Sequence, residues 1–181
     1  LGAFNWIVGT TARLGGTRRV NSSPADLAVK LIPISSENQV AVLFGPEDRG
    51  LTNDDLQLCH DLVNIPTAGF SSLNLAQAVM VICYELFKAR TSTPKFHIPR
   101  LACRYKLENM YEEIEDTFSR IHFINHESPE LRLDKTRSFL SRFQLRSREV
   151  SIIRGLCRQV TRYGSQCYQD GVAAGVSEGL T

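Results

Sequence analysis

The chain has 181 residues, 43% of them apolar and 22% charged, an ordinary globular balance and enough for one sizeable domain or two small ones. No apolar run approaches the roughly 18–20 residues that a membrane-spanning helix needs, and LGAFNWIVG at the N-terminus lacks a signal peptide's basic region and small-residue cleavage site, so no membrane partner is expected. The formal net charge of +2 is unevenly spread: residues 131–163 hold nine Lys/Arg against two Asp/Glu, and the other residues hold twelve against seventeen. A block this basic in an otherwise acidic chain points to a polyanionic partner. The five cysteines (Cys59, Cys83, Cys103, Cys157, Cys167) are odd in number and show no CxxC spacing, which predicts reduced thiols and a cytoplasmic protein.

The first half reads as α/β. Apolar runs at Phe4–Val8, Val40–Phe44 and Leu62–Ile65 predict buried parallel strands. Between the first two, SSPADLAVKLI predicts a helix with Ser23 as N-cap and Pro24 in the first helical position, where its missing N–H costs nothing. After the second strand, LTNDDLQLCHDL opens another helix, capped by Thr52, with Asp54 and Asp55 facing the positive end of its dipole. After the third, residues 72–90 form a long helix. Its apolar residues, among them Val79, Met80, Ile82, Leu86 and Phe87, cover more than one face, as burial on several sides or an oligomer interface requires.

Residues 91–103 (TSTPKFHIPRLAC) carry two prolines and no clear period, and read as a linker. The remainder is helical. Tyr105–Phe123 shows a Met110, Ile114, Phe118, Ile121 stripe, Ser128–Phe143 follows a Ser-Pro start, and a third helix begins near Ser147. The tail after Gly171 is expected to fray. The expected domains are 1–90, a linker over 91–103, and a helical region over 104–181.

Two segments carry the functional signal. FGPEDRGL at 44–51 and IPTAGFSSLNLAQA at 65–78 each place glycines and small polar residues after an apolar strand, where a ligand can touch backbone. The pair resembles motifs two and three of the SPOUT RNA 2′-O-methyltransferases, the TrmJ-like tRNA methyltransferases most of all. Phe44, Gly45, Glu47, Gly50 and Leu51 match the second motif, and Ile65, Ser72, Leu73 and Asn74 the third. LGAFNWIVGTTAR resembles the strand and loop that precede motif two, and SRFQLRSREVSIIRG a stretch of the helical C-terminal extension. The resemblance covers nearly all of this chain but only the later part of the family's length. The first motif, with the arginine proposed to activate the ribose hydroxyl, is expected upstream of Leu1.

The resemblance implies an α/β domain with a parallel sheet and a deep trefoil knot, followed by a small all-helical extension that binds RNA. It implies a homodimer that uses S-adenosylmethionine to methylate a ribose 2′-hydroxyl of tRNA, at cytidine or uridine 32 of the anticodon loop. An rRNA 2′-O-methyltransferase and a non-catalytic RNA-binding protein of the same fold are the alternatives. Thr10, Thr11, Gly45, Gly50, Leu51, Ile65, Ser72 and Leu73 become cofactor-binding residues, with Leu51, Ile65 and Leu73 as apolar walls around the purine. Ser72, Asn74 and Glu47 become residues of the reacting end. Taken singly, Gly45 and Gly50 are equally turn glycines, Ser72 an N-cap, Asn74 a residue bonding local backbone and Glu47 a solvated loop charge. The joint pattern, not any one residue, carries the reading.

The basic block comprises Arg132, Lys135, Arg137, Arg142, Arg146, Arg148, Arg154, Arg158 and Arg162. Arg154, Arg158 and Arg162 recur every four residues, so they share one helix face at about 6 Å intervals, a spacing suited to successive phosphates. The alternative is a solvated face. The loop ARLGGTRRVNSS, with Arg13, Arg18 and Arg19, is a second candidate for RNA contact. The adjacent Cys59 and His60 do not supply a four-ligand metal set and read as a helix-surface pair; His97, His122 and His126 lack ligand spacing, so no metal is expected.

Overall fold

The computed structural model describes residues 1–12, 22–68, 73–92, 98–121, 123, 136, 137, 139–141 and 143–178. The chain divides into two compact units, Leu1–Arg104 and Tyr105–Thr181.

The first unit is built on strands β1 (Trp6–Thr10), β2 (Val40–Leu43) and β3 (Asp61–Val63), in the order β2-β1-β3 with both pairings parallel. Val8 stands opposite Val42 on one side and Asp61 on the other. Strands β1 and β3 are offset from their apolar runs, and β2 ends one residue before its run does. β1 starts at Trp6 rather than Phe4 and runs on to Thr10, and the backbone N–H groups of Asn5 and Trp6 both donate to the Gln39 carbonyl.

Side chains alternate across the sheet, as a strand's period of two demands. Trp6, Val8 and Val63 pack on one face with Leu27, Leu31 and Ile34 of helix α1 (Pro24–Ser35) and Ile82 of helix α3 (Leu75–Ser92). Ile7 and Leu62 pack on the other with Cys59 and with Leu56 of helix α2 (Asn53–Gln57). Both predicted caps form complete capping boxes: Ser23 with Asp26, and Thr52 with Asp55. Such caps are worth about 1 kcal/mol each. They fix where each chain segment turns from a loop into a helix, and Thr52 starts α2 directly after the glycine loop.

Helix α3 runs two residues into the segment read as a linker, and that segment's far end is tied down. Leu101 is buried, its carbonyl accepts from the Asn5 amide (2.8 Å), and its N–H donates to Asn38 Oδ1 (2.7 Å). The apolar surplus of α3 lies at the surface: Ile82 is buried, but Met80, Tyr84 and Phe87 are exposed.

The second unit contains helices α4 (Arg104–Arg120) and α5 (Ser147–Glu178). The buried stripe of α4 is Leu107, Met110, Tyr111, Ile114 and Thr117; Phe118 is half-buried, and the predicted Ile121 lies beyond the helix and is exposed. The predicted helix over Ser128–Phe143 lies largely outside the described residues; 136, 137, 139 and 140 are helical. The expected fraying after Gly171 is corrected, because α5 continues as helix to Glu178. Ala173 and Ala174 are strong helix formers and no proline interrupts the run.

Candidate active site

A cavity of about 620 Å³ opens at the C-terminal ends of the three strands, the edge at which parallel α/β sheets present their loops to ligands. Three segments line it: Thr10–Ala12 after β1, Phe44–Leu51 after β2 and Val63–Thr67 after β3, with Leu73, Leu75 and Ala78 closing the far side. The structure therefore brings together Thr10, Thr11, Gly45, Glu47, Gly50, Leu51, Ile65 and Leu73, which the sequence separates by up to 63 positions. Ser72 and Ser71 lie outside the described residues.

The middle loop is shaped by its glycines. A Cβ at Gly45 would fall 2.1 Å from the Gly50 carbonyl carbon and 2.2 Å from the Leu51 nitrogen, so the two ends of the loop meet backbone to backbone. Gly50 has φ +68°, a left-handed conformation that glycine adopts without a Cβ penalty. Its N–H donates to the Pro46 carbonyl at 2.8 Å. The result is a tight loop that lines the cavity and brings bare backbone to it at Gly45 and Gly50.

The flanking loops are clasped to the strands. Thr10 Oγ1 donates to the Leu43 carbonyl (2.9 Å), tying the ends of β1 and β2. Asn64, which the sequence reading did not single out, donates from Nδ2 to the Thr11 carbonyl (2.9 Å), while its backbone N–H donates to Ser22 (3.3 Å). Asn64 thereby ties Thr11 and Ser22 to the end of β3. The contacts span 53 and 42 positions, so no local signal marks this residue.

At the rim, Glu47 Oε1 accepts from Asn74 Nδ2 (3.2 Å) and from the Leu75 backbone N–H (3.1 Å). Asn74 Oδ1 in turn accepts from the Ala76 N–H (2.9 Å). The carboxylate thus sits on the first turn of α3, where the helix dipole favours a negative charge. Both alternative readings hold in part: Asn74 does bond local backbone, yet its amide also reaches Glu47 across 27 residues.

Cys59 and His60 are corrected. They are not a helix-surface pair, since Cys59 is buried against Ile7 and Leu62 and His60 is stacked on Trp6 with ring centroids 4.7 Å apart. His60 Nδ1 accepts from the Ile7 N–H (3.0 Å), which fixes the acceptor nitrogen of its neutral ring. Burial, with the nearby Arg104 charge, lowers the His60 pKa to about 4, and burial pushes the Cys59 thiol up to about 12. Beside them, buried Asp61 accepts from Trp6 Nε1 (3.0 Å) and pairs with Lys30 (2.7 Å). Among the described residues, no group of three or more His, Cys, Asp or Glu is arranged to hold a metal ion.

In the second unit the basic row is divided. Arg154 Nη2 binds Glu113 Oε1 at 2.8 Å, and Arg158 stands 3.8 Å from the same oxygen. Arg137 pairs with Glu108 at 3.0 Å. Arg146, Arg158 and Arg162 are exposed, whereas Arg154 is half-buried. Arg13, Arg18, Arg19, Arg132, Lys135 and Arg142, with His97, His122 and His126, lie outside the described residues. No helix among the described residues is long and apolar enough to cross a membrane.

A parallel α/β unit with a backbone-lined cavity at its strand ends, followed by a helical unit with exposed arginines, fits a ligand-binding domain joined to a polyanion-binding one. The family model described as the SpoU rRNA Methylase family matches residues 5–84, and that of the tRNA methyltransferase TrmJ C-terminal domain matches residues 105–169. The tRNA (cytidine/uridine-2'-O-)-methyltransferase TrmJ of Sodalis glossinidius is 34% identical over 166 residues, covering 88% of this chain and 65% of the relative. Its counterpart in Klebsiella pneumoniae is 32% identical over 168 residues, covering 88% and 69%. The crystal structure of TrmJ from Z. mobilis ZM4 superposes with a TM-score of 0.72 at 27% identity, covering 88% of this chain and 69% of that one. This chain belongs to the TrmJ family of SpoU-type methylases. It spans about two thirds of the length of the curated relatives it matches.

Proposed function

We propose that this protein transfers a methyl group from S-adenosylmethionine to a ribose 2′-hydroxyl of tRNA, at cytidine or uridine 32 of the anticodon loop. The observation that carries the reading is the convergence of three strand-end loops on one cavity, with the Glu47–Asn74 pair at its rim. The cavity fits an adenosine-bearing cofactor. Its volume lies within the range of small-molecule sites, its walls at Leu51, Ile65 and Leu73 are apolar, and its glycine loop offers backbone N–H and C=O groups to a purine edge. S-adenosylmethionine, when bound, supplies an electrophilic methyl group, so the protein has chiefly to position the reactants.

In this reading Thr10, Thr11, Gly45, Gly50, Leu51, Ile65, Ser72 and Leu73 hold the cofactor. Ser72 and Asn74 line the reacting end, and Glu47 fixes the Asn74 amide. The chain around these loops forms a trefoil knot. Residues 104–181 bind RNA through Arg146, Arg158 and Arg162, joined by Arg142 and by Arg13, Arg18 and Arg19 of the first unit. The protein is cytoplasmic and acts as a homodimer; the exposed Met80, Tyr84 and Phe87 of α3 support a subunit contact there.

The test is a methylation assay with tRNA and rRNA and labelled S-adenosylmethionine, followed by nucleoside analysis. A 2′-O-methylated nucleoside at position 32 of tRNA is the expected product. Label confined to rRNA would select the rRNA enzyme instead, and cofactor-independent RNA binding without any label would leave a non-catalytic RNA-binding protein.

A further inference from the structure

Arg148, Arg158 and Arg162 share one side of α5 with Gln159, Gln166 and Gln169, and all six are exposed. At about 100° per residue they fall within an arc of about 100°, along about 33 Å of helix. The arc is set apart from the packed side of α5, where Val150 and Cys157 are buried. Its composition is selective. Of the acids of α5, Glu149 and Glu178 lie outside the arc and Asp170 borders its far end. A face that is merely solvated usually mixes both signs of charge. This one carries three guanidinium groups, three neutral amides and no acid, the complement of a polyanion.

Gly155 stands in the middle of the arc. Among the described residues, a Cβ there would meet nothing within 4 Å, so packing does not call for glycine at this position. Glycine weakens a helix interior by about 1 kcal/mol relative to alanine. Its presence is accounted for if a ligand approaches the helix backbone closely, between Arg148 and Arg158. The aromatic residues of α5, Tyr163 and Tyr168, lie outside the arc. That distinguishes between kinds of RNA. Unpaired bases are held by stacking, on aromatic rings above all, whereas a paired stem is recognised across its wide, shallow minor groove through phosphates and ribose 2′-hydroxyls. Arginine suits the phosphates. A glutamine amide both donates and accepts, and so matches a 2′-hydroxyl, which does the same.

We propose that this face of α5 lies along the minor groove of a paired stem of the tRNA. Arg148, Arg158 and Arg162 take phosphates, Gln159, Gln166 and Gln169 take ribose 2′-hydroxyls, and the bare backbone at Gly155 makes the closest approach. The proposal rests on the reading of this chain as a tRNA methyltransferase and adds which part of the RNA the helix holds. A contact of this kind grips by shape and by ribose, not by base sequence. It leaves the choice of nucleotide to the first unit.

The test uses the full chain and three fluorescent probes: an RNA duplex of about 16 base pairs, a DNA duplex of the same sequence, and one strand of the RNA alone. Fluorescence anisotropy is expected to show binding to the RNA duplex about tenfold tighter than to either other probe. The triple variant Gln159→Ala, Gln166→Ala, Gln169→Ala should lose the margin over DNA while keeping its affinity for the DNA duplex and its salt dependence. Gly155→Leu should weaken binding to the RNA duplex at least about tenfold, while the helical circular dichroism signal persists. Equal affinity for the RNA duplex and the single strand would overturn the proposal. So would a preference for the RNA duplex that survives the glutamine substitutions, or full RNA-duplex affinity in Gly155→Leu. The labelled-cofactor assay on tRNA separates the two readings. Methylation of tRNA by a chain with no preference for the duplex overturns this proposal alone, whereas neither methylation nor binding of any RNA overturns the tRNA reading with it.

Discussion

Glu47 and Asn74 are joined by a 3.2 Å hydrogen bond, and the same Glu47 oxygen accepts from the first N–H of α3 at Leu75. One carboxylate therefore links the glycine loop after β2 to the start of the helix that closes the cavity. If that link sets the cavity's shape, its loss must register in ligand binding more than in stability, because both partners are exposed.

Glu47→Ala is expected to lower the unfolding free energy by only about 1 kcal/mol, the scale of a lost helix-terminal acceptor. The same change is expected to weaken S-adenosylmethionine binding about tenfold, with Glu47→Gln, which retains an acceptor oxygen, falling between. Urea unfolding and calorimetric titration measure the two effects separately. Equal cofactor affinity in all three proteins would remove Glu47 from the site.

Glycine substitutions divide by their surroundings. Gly45→Ala places a methyl group 2.1 Å from backbone at Gly50, which cannot turn aside as a side chain could, so the loop must open. Cofactor binding is expected to fall at least about tenfold. Gly155→Ala adds a methyl group to open space on α5, and is expected to raise stability by up to about 1 kcal/mol through helix propensity. Calorimetric binding and thermal melts of the two variants should move in these different ways.

The elements legible in the sequence are those whose cause is local. Ser23 and Thr52 cap their helices as predicted, and each forms a capping box with an aspartate three residues on, Asp26 and Asp55. The cavity loops were legible for another reason: Gly45, Gly50 and the 65–74 segment are set in a pattern that resembles a family. What the sequence left hidden depends on distant partners. His60 stacks on Trp6 from 54 positions away, Asn64 reaches Thr11 across 53, and Arg154 finds Glu113 across 41. No periodicity within a helix reports such contacts. The four-residue spacing of Arg154, Arg158 and Arg162 was correct as geometry, yet it did not reveal that α4 supplies an acid to its first member.

The buried His60 ring makes stability depend on pH. Burial and the Arg104 charge depress its pKa from 6.5 to about 4. The unfolded chain therefore takes up a proton between these values before the folded one does. Stability is fully present above about pH 6.5 and is lost as pH falls toward 4, by up to about 1.4 kcal/mol per pH unit and about 3 kcal/mol in all. Urea unfolding from pH 7 to 5 should show this slope. His60→Gln, which keeps an acceptor for the Ile7 N–H but does not titrate, should flatten it. An identical slope in both proteins would assign the pH dependence to other groups.

The arginines of α5 should separate into structural and RNA-binding members. Arg154 and Glu113 are both about one-third exposed or less and lie 2.8 Å apart. The Arg154 hydrogen bond holds the Glu113 carboxyl below its ordinary pKa of 4.5, so the pair's contribution is present above about pH 4.5 and is lost as pH falls below it. Arg154→Gln is thus expected to cost about 1 kcal/mol of stability at neutral pH. Arg158 is 64% exposed, and Arg162 is also exposed. The double variant Arg158→Ala, Arg162→Ala should fold normally but bind tRNA more weakly, with the slope of log affinity against log salt reduced by about 1 to 2. Filter binding across a salt series, alongside thermal melts, tests both halves. An unchanged salt slope in the double variant would take this helix face out of the RNA contact.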